Sequence, residues 1–191
     1  GDHPSHSDVA YQPWNGTDGI SYTNNTAYVY LTGNATIGGH LTVDGKTLYL
    51  CLNGKTLSSN GTAKIQVKNG GRLVLCDCQG GGTVKGATSG WGGMCVYLYN
   101  SRLDMYGGKL TGGKVTGNGG GGGAIALDDK DCVFNMYGGE ISDNYGRNYG
   151  GAIFQNFAKN KPNATGGNFN MYGGTIKDNT AKNGGAFFST T

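Results

Sequence analysis

Met105-Tyr106-Gly107-Gly108-Lys109-Leu110, Met136-Tyr137-Gly138-Gly139-Glu140-Ile141 and Met171-Tyr172-Gly173-Gly174-Thr175-Ile176 are three versions of one phrase, set 31 and 35 residues apart. A second phrase alternates with it: Gly92-Gly93-Met94, Gly122-Gly123-Ala124, Gly150-Gly151-Ala152 and Gly184-Gly185-Ala186. Two phrases in fixed alternation signify one structural unit stacked on itself. Inside that unit Phe134 and Met136 alternate with Asn135 and Tyr137, the period of a strand with one buried face. The glycine pair then bends the chain, and Ile141 opens a second short strand facing inward.

Weaker wording fits the same frame upstream, in Leu50-Cys51-Leu52-Asn53-Gly54-Lys55-Thr56-Leu57 and in Leu73-Val74-Leu75 followed by Thr83-Val84. A further strand recurs ahead of each unit: Leu41-Thr42-Val43, Ile65-Gln66-Val67, Val96-Tyr97-Leu98, Ala124-Ile125-Ala126 and Ala152-Ile153-Phe154. Each coil therefore carries three short strands, and no helical period of any length appears. Because each coil repeats the same direction, equivalent strands pair in parallel. The fold this predicts is all-β, a right-handed single-stranded parallel β-helix of about five to six coils. A propeller is the competitor, but its blades need ~40–45 residues and four antiparallel strands. Like residues then stack about 4.8 Å apart, with Leu52, Leu75, Met105, Met136 and Met171 in one inward column and Leu57, Val84, Leu110, Ile141 and Ile176 in another. Asn144 and Asn179 are expected to stack outside, at a turn.

Residues 1–40 do not obey the repeat; Trp14, Tyr22, Tyr28, Tyr30 and Leu31 read as an N-terminal cap over the first coil. Residues 41–191 form the helix. The chain begins at Gly1 without Met and stops at Thr191 inside a coil, which reads as truncation of a longer protein at the C-terminal end. End-to-end self-association through an uncapped last coil is the alternative.

Glycine supplies 39 of 191 residues, yet 12 Tyr and 6 Phe stand at fixed places relative to it, so this is not a flexible linker. A net charge of +3 with no Lys/Arg block argues against nucleic acid, and no apolar run is long enough for membrane insertion. Five cysteines leave one unpaired if bonding is internal. Cys76-Asp77-Cys78 is C-x-C, not the C-x-x-C of a zinc ribbon, so no metal is expected; the cysteines read either as buried or free thiols or as one disulfide between neighbouring coils, for which Cys51 with Cys76 or Cys78 is the best candidate.

The pairing of Met-Tyr-Gly-Gly-Glu-Ile-Ser-Asp-Asn with Gly-Gly-Ala-Ile resembles the β-helical repeats of large surface proteins from Gram-positive gut and rumen bacteria. Gly-Gly-Ala followed by Ile or Phe is also similar to one half of the repeat of chlamydial polymorphic membrane proteins. Their companion Phe-x-x-Asn is not cleanly met at the repeat position, since Phe134 is followed three places on by Tyr137. Leu50 to Leu57 with Leu73 to Cys78 looks like the opening coils of the same Gram-positive proteins. The resemblance covers residues 41 to 188 and implies the pectate-lyase-like superfamily, an extracellular or bacterial cell-surface location, and a stalk or adhesin role. That superfamily also contains polysaccharide lyases and glycoside hydrolases, so catalysis has to be sought in the residues themselves.

Glycoside hydrolysis needs two carboxylates ~5–9.5 Å apart. Glu140 is the only Glu. Asp143 and Asp178 fall at equivalent places in consecutive coils and form one candidate pair, able to share a proton or hold Ca2+. Asp128, Asp129 and Asp131 form the other candidate group. Both also read as ordinary turn chemistry, so no catalytic residue is assigned and no cofactor is expected. His3, His6 and Asp8 read as a chain end rather than a metal site, because Pro4 breaks their spacing. The external feature of interest is aromatic: Tyr106, Tyr137 and Tyr172 form one outward column flanked by Asp104, Asn135 and Asn170. Such a strip suits sugar rings, while an aromatic ladder also stabilises strands by itself. The sequence thus points first to a non-catalytic surface module, with a glycan or a host or plant surface as the candidate partner, and second to a polysaccharide lyase or glycoside hydrolase of the pectate-lyase-like class or a self-assembling β-helix subunit.

Overall fold

The structure is a computed structural model that describes residues 9–128, 131–156 and 167–190. Among them there is no helix, and every strand pairing within a sheet is parallel. Sheet A stacks Gln12–Trp14, Thr26–Leu31, Thr47–Cys51, Arg72–Cys76, Arg102–Met105, Val133–Met136 and Asn168–Met171 in chain order. Sheet B stacks Ala35–Ile37, Thr56–Ser59, Thr83–Lys85, Lys109–Thr111, Glu140–Ser142 and Thr175–Lys177. Sheet C does the same with Leu41–Asp44, Ile65–Lys68, Val96–Tyr99, Ile125–Asp128, Ile153–Asn156 and Phe187–Ser189. The chain visits A, B and C in turn and then returns to A one strand further along. This is the pairing of a parallel β-helical solenoid.

Three strands per circuit is too few. From residue 88 onward a fourth sheet, D, stacks Thr88–Ser89, Lys114–Val115, Tyr145–Tyr149 and Thr180–Asn183. These strands hold mostly Lys, Asn, Thr and Tyr and carry no apolar alternation, so the sequence reads as loop where the backbone pairs as strand. The ladder also reaches back beyond residue 41, since Thr26–Leu31 pairs with Thr47–Cys51 and Ala35–Ile37 with Thr56–Ser59.

The core is the set of inward columns. Leu57, Val84, Leu110, Ile141 and Ile176 pair in register, as the repeat predicts. In sheet A the register joins Leu50, not Leu52, to Leu75, Met105, Met136 and Met171. Leu52 is still buried, but two places further on, where its amide donates to the Cys76 carbonyl. The consequence is that Cys51 stands directly opposite Cys76.

The two glycine phrases have separate backbone reasons. Gly122 lies at φ +73, and a Cβ there would meet the Ile125 carbonyl oxygen at 2.0 Å. Gly139 lies at φ +87, and its Cβ would meet Met105 Cε and the Gly108 oxygen at 2.6 Å. One phrase allows the chain to fold back on itself before a sheet C strand. The other allows one circuit to settle on the core methionine of its neighbour.

Asn144 is not outside. It is 2% exposed, and its amide nitrogen donates to the carbonyls of Leu110 and Ser142 at 3.1 and 2.9 Å. Its oxygen accepts from the Gly113 amide at 3.0 Å. Asn179 repeats the pattern against Ile141 and Lys177, and its oxygen accepts from Asn144. Each inward asparagine satisfies backbone groups that the bend between sheets B and D leaves unpaired. The preceding Asp143 and Asp178, both near φ +55 (58° and 54°), make that bend.

Candidate functional site

The outer face of sheet A gathers most of the residues singled out in the sequence. Its strand pairings set Tyr30 opposite Cys51 and Cys51 opposite Cys76. The next three places in that column are Tyr106, Tyr137 and Tyr172, whose amides donate to Leu75, Met105 and Met136. A second outward column runs Tyr28, Tyr49, Val74, Asp104, Asn135 and Asn170. The tyrosine ladder and the cysteine pair are therefore parts of one feature.

The ladder is tightly stacked. Tyr106 and Tyr137 have ring centroids 4.6 Å apart at 12°, and Tyr137 and Tyr172 are 5.0 Å apart at 10°. Ring faces are thus consumed by neighbouring rings, leaving edges and hydroxyls toward solvent. Tyr172, at the end of the stack, is 67% exposed. The expected flat platform for sugar rings is not what this packing presents.

Nor are its flanking polar groups available. Asp104 is wholly buried and accepts from Arg72 Nε at 2.7 Å, from Arg102 Nε at 2.8 Å and from Asn135 Nδ2 at 2.7 Å. Asn135 in turn accepts from Asn170 at 2.9 Å. One carboxylate answers three donors, so this is a structural clamp across four strands. Asp104→Ala is expected to destabilise by about 2 kcal/mol, because buried Asn135 loses its acceptor while the two half-exposed guanidinium groups regain water. Urea denaturation checks this, and a midpoint equal to wild type would contradict the clamp.

Of the candidate acids, Asp143 and Asp128 are taken up by neighbouring donors. Asp143 accepts from Lys109 at 3.1 Å and from Ser142 at 2.8 Å; the hydroxyl, then the ammonium, hold its carboxyl below the usual range. A proton-sharing pair would need one carboxyl raised instead. Glu140 is held down to about 2 by the Ser142 hydroxyl first and by Lys109 and Lys177 next. Asp128 accepts from the Tyr97 hydroxyl and from Asn156. Burial and that contact push the Tyr97 phenol up. Asp131 is exposed, and Asp129 lies outside the described residues, as do His3, His6 and Asp8. Glu140 and Asp143 lie side by side on Lys109 and Ser142, and both are held down, so neither is poised as a protonated acid.

The cysteines do converge. Cys51, Cys76 and Cys78 have their sulfur atoms all within 4.8 Å of one another, with Cys51 and Cys78 at 2.9 Å. Asp77 fixes the turn that brings Cys78 back, its two oxygens accepting from the amides of Gly54 and Gly82 at 2.7 Å each. Tyr11 donates its hydroxyl to Cys76, and Tyr28, Tyr30, Tyr49 and Tyr106 pack around the group. Hydrogen bonding from Cys76 first, then from Cys78, draws the Cys51 thiol down, while burial and the contact with Cys51 push Cys78 up. The remaining described cysteines stand elsewhere; Cys95 is buried among carbonyls and burial pushes it up to about 12.

A second surface escapes sequence reasoning. On the outer side of sheet D, Lys114, Thr116, Tyr145 and Arg147 line an open groove, with Lys114 Nζ 5.7 Å from the Tyr145 ring centroid. Tyr145 is 38% exposed. Here the Tyr145 ring reaches solvent, with the Lys114 ammonium over it and Arg147 along the same groove. The signal was a Tyr-Gly-Arg strand beside Lys114 one circuit back, hidden because sheet D itself was not read. No family model, no curated protein and no solved structure matches this chain.

Proposed function

We propose that the chain is a non-catalytic β-helical module of a bacterial cell-surface protein, of the stalk or adhesin kind, right-handed and of six coils with the residues before Thr26 as its cap. The observation that carries the non-catalytic reading is the fate of the carboxylates. Asp77, Asp104, Asp128, Glu140 and Asp143 are each held by amides, guanidinium groups, hydroxyls or ammonium groups that serve the stack. A lyase or hydrolase needs acids aimed at a substrate instead. The tyrosine ladder fits the same role, since each stacked pair adds about 0.5–1.5 kcal/mol beyond burial.

Glycan contact belongs on this reading to the sheet D groove rather than to the ladder. An exposed aromatic face between Lys114 and Arg147 suits an acidic sugar, with stacking from the ring and charge from its neighbours. An array of neutral and acidic glycans tests it. Tyr145→Ala is expected to weaken binding of an acidic hit about fivefold or more, the equivalent of ~1 kcal/mol. Tyr137→Ala is expected to leave it unchanged. The reverse order would return the contact to the ladder, and product release from an acidic polysaccharide would overturn the non-catalytic reading.

A further inference from the structure

We infer that Cys51, Cys76 and Cys78 form a site for a thiophilic d10 cation, with Zn2+ the reference ion, bound through three sulfurs at the outer face of sheet A. Three thiols meeting within 4.8 Å is more than a disulfide requires. Cys51 and Cys76 hold directly paired places on neighbouring parallel strands, so their Cα atoms stand about one strand spacing (~4.8 Å) apart and their side chains run side by side. Side-by-side sulfurs suit two ligands of one ion better than a covalent bridge, which needs Cβ atoms converging to about 3.8 Å.

The third ligand is delivered by a fixed turn. Both oxygens of Asp77 are taken by the Gly54 and Gly82 amides, which locks the chain between Cys76 and Cys78 and turns Cys78 back over Cys51. That use of Asp77 also takes its carboxylate out of the donor set, which is then sulfur alone and selects against Ca2+ and Mg2+. A tetrahedral ion with bonds of ~2.3 Å separates its sulfurs by about 3.8 Å. Cys51 and Cys78, at 2.9 Å, would open by about 1 Å, and Cys78 is the exposed member with room to do so.

Access and support are present too. Cys51 and Cys76 are 0% and 2% exposed, so the ion would enter past Cys78, leaving a fourth position toward solvent. Tyr11 supplies an outer-shell donor to Cys76, of the kind that orients a metal ligand. The ring wall of Tyr28, Tyr30, Tyr49 and Tyr106 limits water. The sequence brings Cys51 beside Cys76 and Cys78 from 25 residues before Cys76, but as C-x-C plus a distant Cys it carries no metal-motif spacing.

The test is titration of the reduced full chain with Co2+ as a spectroscopic stand-in, followed by competition with Zn2+. One equivalent of Co2+ is expected to give thiolate-to-metal charge-transfer absorbance with the visible bands of a tetrahedral site, both abolished by Zn2+. Cys51→Ser, Cys76→Ser and Cys78→Ser should each weaken Co2+ at least tenfold, and Tyr11→Phe should weaken it while leaving the charge-transfer band in place. Absence of the band in the reduced wild-type chain overturns the proposal whatever the variants do. So does full affinity in Cys76→Ser. Peptide mapping of oxidised protein that links Cys51 to Cys78, together with no Co2+ uptake after reduction, would identify the cluster as a disulfide site instead.

Discussion

Gly122→Ala is expected to lower stability by about 3–5 kcal/mol. The backbone at Gly122 is left-handed, at φ +73, which alone costs an L-residue about 1–2 kcal/mol. The remainder is steric. The new Cβ would lie 2.0 Å from the Ile125 carbonyl oxygen and 2.8 Å from its carbon, both backbone atoms that no side-chain rotation can move aside. The strand cannot shift to relieve this without loosening bonds to the next circuit, where the Gly122 amide donates to Gly150 at 2.9 Å. For a chain of this size the melting temperature should fall by roughly 10 °C in a circular-dichroism melt. Gly38→Ala is the control, since a Cβ there meets nothing within 4 Å, and it should stay within about 0.5 kcal/mol of wild type. A Gly122→Ala chain melting with its control would mean that the close approach is absent.

Phe134→Ala is the second large effect, about 3–5 kcal/mol. Phe134 is fully buried and stands in the inward column between Leu103 and Phe169. Its ring stacks on Phe169 at 5.0 Å. Truncation removes burial and leaves a cavity bounded by paired strands on both sides, which cannot collapse without breaking backbone bonds. Phe134→Leu should recover most of the loss and keep only the stacking deficit of about 0.5–1.5 kcal/mol. Urea denaturation separates the two, and equal midpoints for Ala and Leu would show that the site repacks freely.

How far the sequence could be read depended on whether identity or only position repeated. Met105, Met136 and Met171 spell their column letter by letter, and the structure pairs them in that order. Leu50 was missed for the opposite reason, because Leu50 and Leu52 are both apolar and alternation alone does not choose between them. Sheet D was missed because its strands make backbone pairs without an apolar face. Outward placement was right for the tyrosines but not informative about availability. A period of two tells which side of a sheet Asp104 occupies, not that Arg72 and Arg102 will close over it. The inward asparagines escaped since Asn after Asp looks like turn chemistry, and only the circuit next door shows which carbonyls need a donor. Cys78 could be listed as a partner for Cys51, but its approach depends on the Asp77 anchor, which links loops 23 residues apart.

The parallel pairing has a mechanical consequence. Backbone hydrogen bonds between circuits lie along the stack, so a pull on its two ends tests the junctions in series, and each carries the same force. Within one junction the sheets share that force side by side. From residue 88 onward four sheets share it, whereas Gln12–Trp14 is joined to Thr26–Leu31 through sheet A alone, over three residue pairs. Under tension the chain should therefore yield first at its N-terminal strand and hold longest where sheet D runs beside the other three.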